Sequence, residues 1–142
     1  MRLTENFTLE EFTYSATAEA LDIDNIPSKQ DLENITYLAE KILQPIRNRY
    51  GKPITVNSGF RCDELNKAVG GSSTSQHRNG GAGDIEGEDN KELFSLIVEM
   101  IEDKTITVGQ LIAEKTDENG VPAWIHISIP YSKKNHIIYN YK

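Results

Sequence analysis

The residues best suited to chemistry in this sequence are two histidines and an aspartate, His77, Asp84 and His126. Neutral imidazole nitrogens and carboxylate oxygens are ligands that suit zinc. His77 and Asp84 belong to a stretch rich in glycine and serine, whose loop we place at residues 72–83, and small residues let backbone segments approach closely. Three protein ligands that leave a fourth position for water are typical of a catalytic zinc site. The pattern therefore predicts one zinc ion held by these three side chains.

The second histidine lies in a segment of alternating character, residues 123–129, that is typical of a β-strand. Successive side chains of a strand point to opposite faces, so the three isoleucines share one face, while His126 shares the other with Trp124. We expect the isoleucines to face the core and His126 to point into a cleft. Trp124 is then either an aromatic wall of that cleft, which we favour, or a core residue.

Helices that could position these residues are predicted from capping signals and apolar spacing. A capping box over residues 8–11 starts a short helix. A second helix begins at Ser28 and carries apolar residues at three-to-four spacing, and Pro45 is expected to kink or loosen it near its end. Residues 63–69 form a brief helix, and Asn90 is expected to cap a further, longer helix.

Strands are predicted at residues 54–56, 108–115, 124–129 and 136–141. Runs of strands and helices that do not alternate regularly favour an α+β fold. We therefore expect helices packed on a small, mainly antiparallel sheet, in a single domain spanning residues 1–142.

Composition excludes several classes of function. A formal net charge of -7, without a Lys/Arg cluster, argues against a nucleic-acid partner. The single cysteine rules out an internal disulfide and cysteine-rich zinc sites. No stretch approaches the roughly 20 apolar residues that span a bilayer, and the N-terminus lacks the apolar run of a signal peptide. We expect a monomer that does not insert into membranes.

The segment from Ser75 to Asp84 follows the pattern Ser-x-His-x-x-Gly-x-Ala-x-Asp, which resembles the metal motif of the zinc D-alanyl-D-alanine carboxypeptidase family. That family includes the vancomycin-resistance D,D-dipeptidases and many phage endolysin peptidase domains, and its scaffold is shared by Hedgehog-type signalling domains. Further segments resemble its phage-type branch: residues 6–12, 43–47, 58–61, 65–71 and 124–128. The resemblance implies a zinc peptidase that cleaves the peptide stem of peptidoglycan, as a D-Ala-D-Ala carboxypeptidase or an endopeptidase. It also implies phage or prophage lysis, with the protein either in the host cytoplasm until its release to the wall or associated with the virion.

The resemblance also implies roles for individual residues. His77, Asp84 and His126 match the zinc ligands. Arg61 matches the arginine that stabilises the substrate carbonyl as negative charge develops, and Ser75 matches a residue that contacts substrate beside the metal. Less specific roles remain open for both, because Arg61 could pair with a neighbouring acidic residue and Ser75 could cap the loop. The neighbouring acidic residues are Asp63 and Glu64.

The general base is where this sequence departs from the resemblance. Several family members carry an acidic residue three positions before the last histidine, where this chain has Ala123. Glu114 is the nearest substitute. If its strand pairs so that Glu114 lies opposite Trp124 or His126, its carboxylate faces the zinc, whereas a slip of one residue sends it to the other face. Glu114 could instead be an edge-strand charge. Three acidic residues near Asp84 are rival bases: Glu86, Glu88 and Asp89.

Ala123 also favours an alternative function of a different class. A catalytically inactive module could keep the zinc scaffold and serve recognition, because a fold alone does not determine function. The peptidase and the binding module are distinguished by whether zinc-loaded protein releases amines from peptidoglycan.

Overall fold

The computed structural model describes residues 1–131 and 134–141. Its helices, in chain order, are α1 (Leu9–Thr13), α2 (Ala16–Ala20), α3 (Lys29–Tyr37), a π-helical segment (Leu38–Leu43), α4 (Gln44–Tyr50), α5 (Asp63–Ala68), a 3₁₀ turn (Gln76–Asn79) and α6 (Asn90–Glu102). Its strands are β1 (Thr55–Ser58), β2 (Ala82–Glu86), β3 (Gln110–Thr116), β4 (Trp124–Ser128) and β5 (His136–Tyr141).

The strands form one sheet in the order β1-β2-β4-β3-β5. Every neighbouring pair is antiparallel except β3 and β5, which run parallel. The predicted α+β fold with a mainly antiparallel sheet is thus confirmed. One face of the sheet contributes to the buried core, and Ile85, Ile125 and Ile127 are fully buried there. The opposite face of β2 and β4 is left to line a cleft.

The helix starts follow the capping signals. Thr8 and Glu11 form the predicted capping box of α1, with the Thr8 backbone N–H donating to the Glu11 carboxylate at 2.7 Å. Ser28 caps α3 in the same reciprocal way with Asp31. These caps satisfy backbone N–H groups that have no partner within the helix.

Pro45 lies in the first turn of α4, directly after the π-helical segment Leu38–Leu43. Because proline lacks an N–H, it cannot donate to the preceding turn, and the chain accommodates it by widening that turn. The helical path nevertheless continues to Tyr50 and ends at Gly51, whose φ of 73° is left-handed. The expected loosening is therefore found just before the proline.

Two expectations about local structure need correction, and one helix was not expected. Residues 72–83 are not all loop, because the 3₁₀ turn occupies Gln76–Asn79 and β2 begins at Ala82. The cap of α6 is Asp89, whose side chain accepts from two backbone N–H groups, and Asn90 is the first helical residue. Helix α2 was not expected, and it begins at a Ser15 cap. In the part of the chain described, no helix is both long and apolar enough to cross a bilayer.

Candidate metal centre

Three elements bring the candidate ligands together. His77 comes from the 3₁₀ turn, Asp84 from β2 and His126 from β4. The antiparallel register pairs Asp84 directly with His126, so both side chains stand on the same face of the sheet. One donor atom from each residue lies within 4.8 Å of the other two. The structure thus assembles the His-Asp-His group from segments that are distant in sequence.

The spacing of the donor atoms suits a small tetrahedral cation. His126 Nδ1 lies 3.0 Å from Asp84 Oδ1, and His77 Nε2 lies 3.3 Å from the same oxygen. Two ligands bound about 2.1 Å from zinc at the tetrahedral angle are about 3.4 Å apart. Both distances from Asp84 Oδ1 are therefore within about 0.4 Å of the spacing that a zinc ion requires.

His77 is oriented by a backbone carbonyl. Its Nδ1 lies 2.7 Å from the carbonyl oxygen of Gly59. Because a carbonyl oxygen only accepts, Nδ1 must carry the proton, and the neutral ring presents an unprotonated Nε2. That Nε2 is buried and has no hydrogen-bond partner among the described residues. An unpaired buried nitrogen is costly, and a bound cation would satisfy it.

The carboxyl of Asp84 is held in its ionised form. Burial alone would raise its pKa, but the hydrogen bond with His126 and the contact with His77 outweigh burial, so the pKa of Asp84 lies well below its ordinary value. An anionic oxygen flanked by two imidazoles is a suitable donor set for zinc.

These groups lie in a cleft with a volume of about 580 Å³. Besides the three candidate ligands, the cleft is lined by the four other residues that the sequence singled out, Arg61, Ser75, Glu114 and Trp124. The lining of this open cleft combines carboxylates and imidazoles with the guanidinium of Arg61, which lies 3.8 Å from Asp84. The arrangement suits a polar substrate that passes close to the His-Asp-His group.

Glu114 reaches the cleft because of the strand register. Strand β3 pairs Glu114 with Trp124, which is one of the two alignments that direct the carboxylate towards the candidate ligands. Asn140 of β5 donates from Nδ2 to Glu114 Oε1 at 2.9 Å. The three other candidate bases have partners of their own: Glu86 accepts from Asn57, Glu88 pairs with Lys52 and Asp89 caps α6.

Arg61 is directed into the cleft by neighbours other than the acidic residues beside it in sequence. Its Nε donates to Ser58 Oγ at 3.2 Å, its Nη1 donates to Asn66 Oδ1 at 3.0 Å, and its Nη2 lies 3.8 Å from Asp84 Oδ2. Asp63 instead pairs with Arg78. Burial lowers the pKa of Arg61, and the charge of Asp84 opposes that shift.

Ser75 combines a structural contact with a place in the cleft. Its Oγ accepts from the His77 backbone N–H at 3.2 Å, which caps the 3₁₀ turn. Both roles considered for this residue are therefore compatible with its position. Trp124 is half-buried at the cleft wall, with the Lys115 ammonium 5.5 Å from the centre of its ring.

Three contributors to the site were not found from the sequence. The Gly59 carbonyl orients His77, Asn66 holds Arg61, and Asn140 holds Glu114. A carbonyl carries no sequence signal, since every residue has one. Asn66 lies within a segment that carries the resemblance, but its contact depends on the three-dimensional packing of α5.

A comparison with known protein families identifies the family of this chain. A family model described as Peptidase M15 matches residues 5–128, which include all the candidate ligands. The chain belongs to the peptidase M15 family. Among curated proteins, no relative matches the chain.

Membership of the M15 family accounts for the His-Asp-His group in the cleft. M15 peptidases are zinc-dependent, and the His77, Asp84 and His126 group is able to hold a metal ion. The orphaned Nε2 of His77 and the spacing of the donors fit that cofactor. The family match ends before β5, so Asn140 lies outside the matched residues.

Proposed function

We propose that this M15 protein is a zinc peptidase that hydrolyses amide bonds in the peptide stem of bacterial peptidoglycan. The observation that supports it most is the buried Nε2 of His77, which faces Asp84 and His126 in an open cleft and has no hydrogen-bond partner within residues 1–131 and 134–141. In this proposal His77 Nε2, Asp84 Oδ1 and His126 Nδ1 hold one zinc ion. When bound, zinc supplies Lewis-acid polarisation and lowers the pKa of water.

The protein's own groups divide the remaining chemistry. Glu114 accepts the proton of the attacking water and delivers it to the leaving amine, as a general base and then a general acid. Arg61 donates to the carbonyl oxygen of the substrate as that oxygen gains negative charge. Removing one such donor typically costs about 100- to 1000-fold in rate.

Two further residues contact the substrate in this proposal. Ser75 lies at the cleft wall beside His77, where its hydroxyl can bond to the peptide next to the scissile bond. Trp124 offers an aromatic surface on the strand that carries His126. An open cleft of this volume accommodates several residues of an extended peptide.

The test is the release of new amino groups from purified peptidoglycan by zinc-loaded protein. Wild type is expected to release them, while His126→Ala and Glu114→Ala release none above background. Glu118→Ala is the matched control, because Glu118 is an exposed acidic residue in the turn after β3. Mass spectrometry of the released peptides identifies the bond and separates a carboxypeptidase, which frees single D-alanine, from an endopeptidase.

A null result supports the alternative function. If wild type holds one zinc per chain and yet releases no amine from any type of wall, the protein is a zinc-containing binding module. Ala123 is the residue that favours this alternative, whereas the position of Glu114 in the cleft favours the peptidase.

A role in phage or prophage lysis is part of the proposal and is supported by the resemblance of the chain to endolysin peptidase domains. Fractionation of expressing or infected cells before lysis tests it. Recovery in the host cytoplasm, followed by transfer to the wall at lysis, is the expected result. Recovery only on phage particles would replace the lysis role with one in wall penetration.

A further inference from the structure

Helix α5 carries a buried polar side chain that the proposed chemistry does not use. Asn66 is only 4% exposed, yet it lies next to the cleft rather than within the apolar core. Buried amides are retained when each of their polar atoms has a partner. Its partners therefore indicate what it does.

Asn66 connects Arg61 to the segment from Gly70 to Ser75 at the cleft. Its Oδ1 accepts from Arg61 Nη1 at 3.0 Å, and its Nδ2 donates to the Ser72 carbonyl at 2.9 Å. Its backbone carbonyl also accepts from the Gly71 N–H at 2.8 Å. Arg61 and the segment from Gly70 to Ser75 both line the cleft, so a single amide fixes their separation.

Gly71 supplies an independent sign that this packing is tight. A Cβ atom at Gly71 would overlap Asn66 Oδ1 and would lie 2.7 Å from Arg61 Nη1. The φ of Gly71 is not left-handed, so the glycine is not required by backbone conformation. Its lack of a side chain leaves the space that the Asn66–Arg61 pair occupies, and a Cβ there would displace that pair.

The other contacts of Arg61 hold its guanidinium less firmly than the hydrogen bond to Asn66 does. Its hydrogen bond to Ser58 Oγ is long at 3.2 Å, and Asp84 Oδ2 is 3.8 Å from Nη2. If Asn66 were absent, the guanidinium would be free to rotate away or to close on Asp84. An Arg–carboxylate pair formed there would occupy the carboxylate that is proposed to bind zinc.

We propose that Asn66 is a positioning residue, which holds the Arg61 guanidinium towards the substrate and ties it to the Gly70–Ser75 segment. The proposal rests on the proposed function insofar as Arg61 stabilises the reacting carbonyl. It adds a residue that touches neither metal nor substrate and acts through Arg61.

The chain offers a matched control in Asn90. This asparagine is 8% exposed, accepts from the Gly87 N–H at 2.8 Å and donates to the Pro122 carbonyl at 3.0 Å. It is thus similarly buried and also accepts through Oδ1 and donates from Nδ2 to backbone carbonyls, those of Pro122 and Ala123, but it does not line the cleft. Asn66→Ala and Asn90→Ala are therefore expected to lower stability to a similar extent, which removes general destabilisation as an explanation.

The activity test uses a soluble stem peptide and zinc-loaded protein. Asn66→Ala is expected to lower kcat by about 10- to 100-fold, less than deletion of a charge-stabilising donor, with KM changed by less than about threefold. Asn66→Asp keeps an acceptor for Arg61 but loses the donor to Ser72, so it is expected to recover part of that loss, whereas Asn90→Ala stays within about twofold of wild type. In an Arg61→Ala background, Asn66→Ala is expected to have no further effect. Equal losses with and without Arg61, or an undiminished kcat in Asn66→Ala, would overturn the proposal.

A second measurement does not depend on activity. Nitrogen-15 NMR of the arginine side chains reports whether rotation of the Arg61 guanidinium is hindered. Separate Nη signals are expected for wild type and Asn66→Asp, and averaged signals for Asn66→Ala. Unchanged Arg61 signals in Asn66→Ala would refute the positioning role, whether or not the protein is a peptidase. If the NMR change is seen but wild type cleaves nothing, only the proposed function is refuted.

Discussion

The carbonyl of Gly59 offers a way to disturb the metal centre without touching a ligand. A Cβ atom at Gly59 would lie 2.6 Å from Phe12 O, about 0.8 Å short of the 3.4 Å at which ordinary contacts begin. The two nearest obstructing atoms belong to the Phe12 backbone and cannot rotate away. In Gly59→Ala the two segments must therefore separate by about that distance.

The consequences can be worked from the contacts at this point. The Phe60 N–H donates to Phe12 O at 2.7 Å, and a separation of about 0.8 Å breaks that bond. Loss of one hydrogen bond and the strain of overpacking together cost about 2–4 kcal/mol of unfolding free energy. The same shift moves the carbonyl that orients His77. Losing an outer partner of this kind typically costs 10- to 100-fold in metal affinity, so Gly59→Ala is expected to bind zinc about that much more weakly.

Gly83 provides the matched control. It precedes Asp84 in β2, but a Cβ there would meet Leu38 Cδ2 at 3.5 Å and Ser58 O at 3.9 Å, which are ordinary contacts. Gly83→Ala is therefore expected to bind zinc within about threefold of wild type. Zinc affinity is measured by competition with a chromophoric chelator, and stability by urea unfolding with a chelator present. Wild-type affinity in Gly59→Ala, or equal losses in both variants, would refute the argument that the Gly59 carbonyl supports the centre.

Three further predictions follow from the structure. Free zinc at about 1,000 times its Kd is expected to stabilise the protein by about 4.1 kcal/mol, and thermal unfolding should show a Tm about 8–16 °C above that in chelator. Asn140→Asp sets a second carboxylate beside Glu114 and is expected to lower amine release several-fold while zinc affinity, measured in parallel, is unchanged. Hydrogen bonds from Thr105 and Arg49 hold the pKa of Asp103 at about 2. Because this folded-state pKa is below the unfolded value of about 4, the stabilisation from Asp103 is present above pH 4 and is lost as the pH falls towards 2. Urea unfolding of wild type at several pH values should show this loss, and Asp103→Asn should not.

The elements that the sequence predicted well are those specified by local chemistry. The capping boxes at Thr8 and Ser28 need only four consecutive residues, and both helices begin where those residues place them. The alternation in residues 123–129 likewise assigned the buried isoleucines to one face and His126 to the face that lines the cleft. Such patterns can be read without knowledge of the tertiary structure.

The features that the sequence left open depend on contacts between distant segments. The register that brings Glu114 opposite Trp124 is set by pairing of two strands, and a one-residue slip would have been equally compatible with the residues. Asn66 and Asn140 have no distinguishing motif of their own, because each is defined by the partner that folding brings to it. The cap of α6 was misassigned to Asn90 because adjacent Asp89 and Asn90 are both good caps.

The most direct test of the account is zinc-edge X-ray absorption on protein loaded with one equivalent of zinc. The protein is expected to retain one zinc per chain, with nitrogen and oxygen ligands at about 2.0–2.2 Å and scattering from two imidazoles. His126→Ala should lose one imidazole, and His136→Ala, which changes an exposed histidine of β5, should lose none. Failure to retain zinc, or a zinc shell without imidazole, would contradict the claim that His77, Asp84 and His126 form a metal centre.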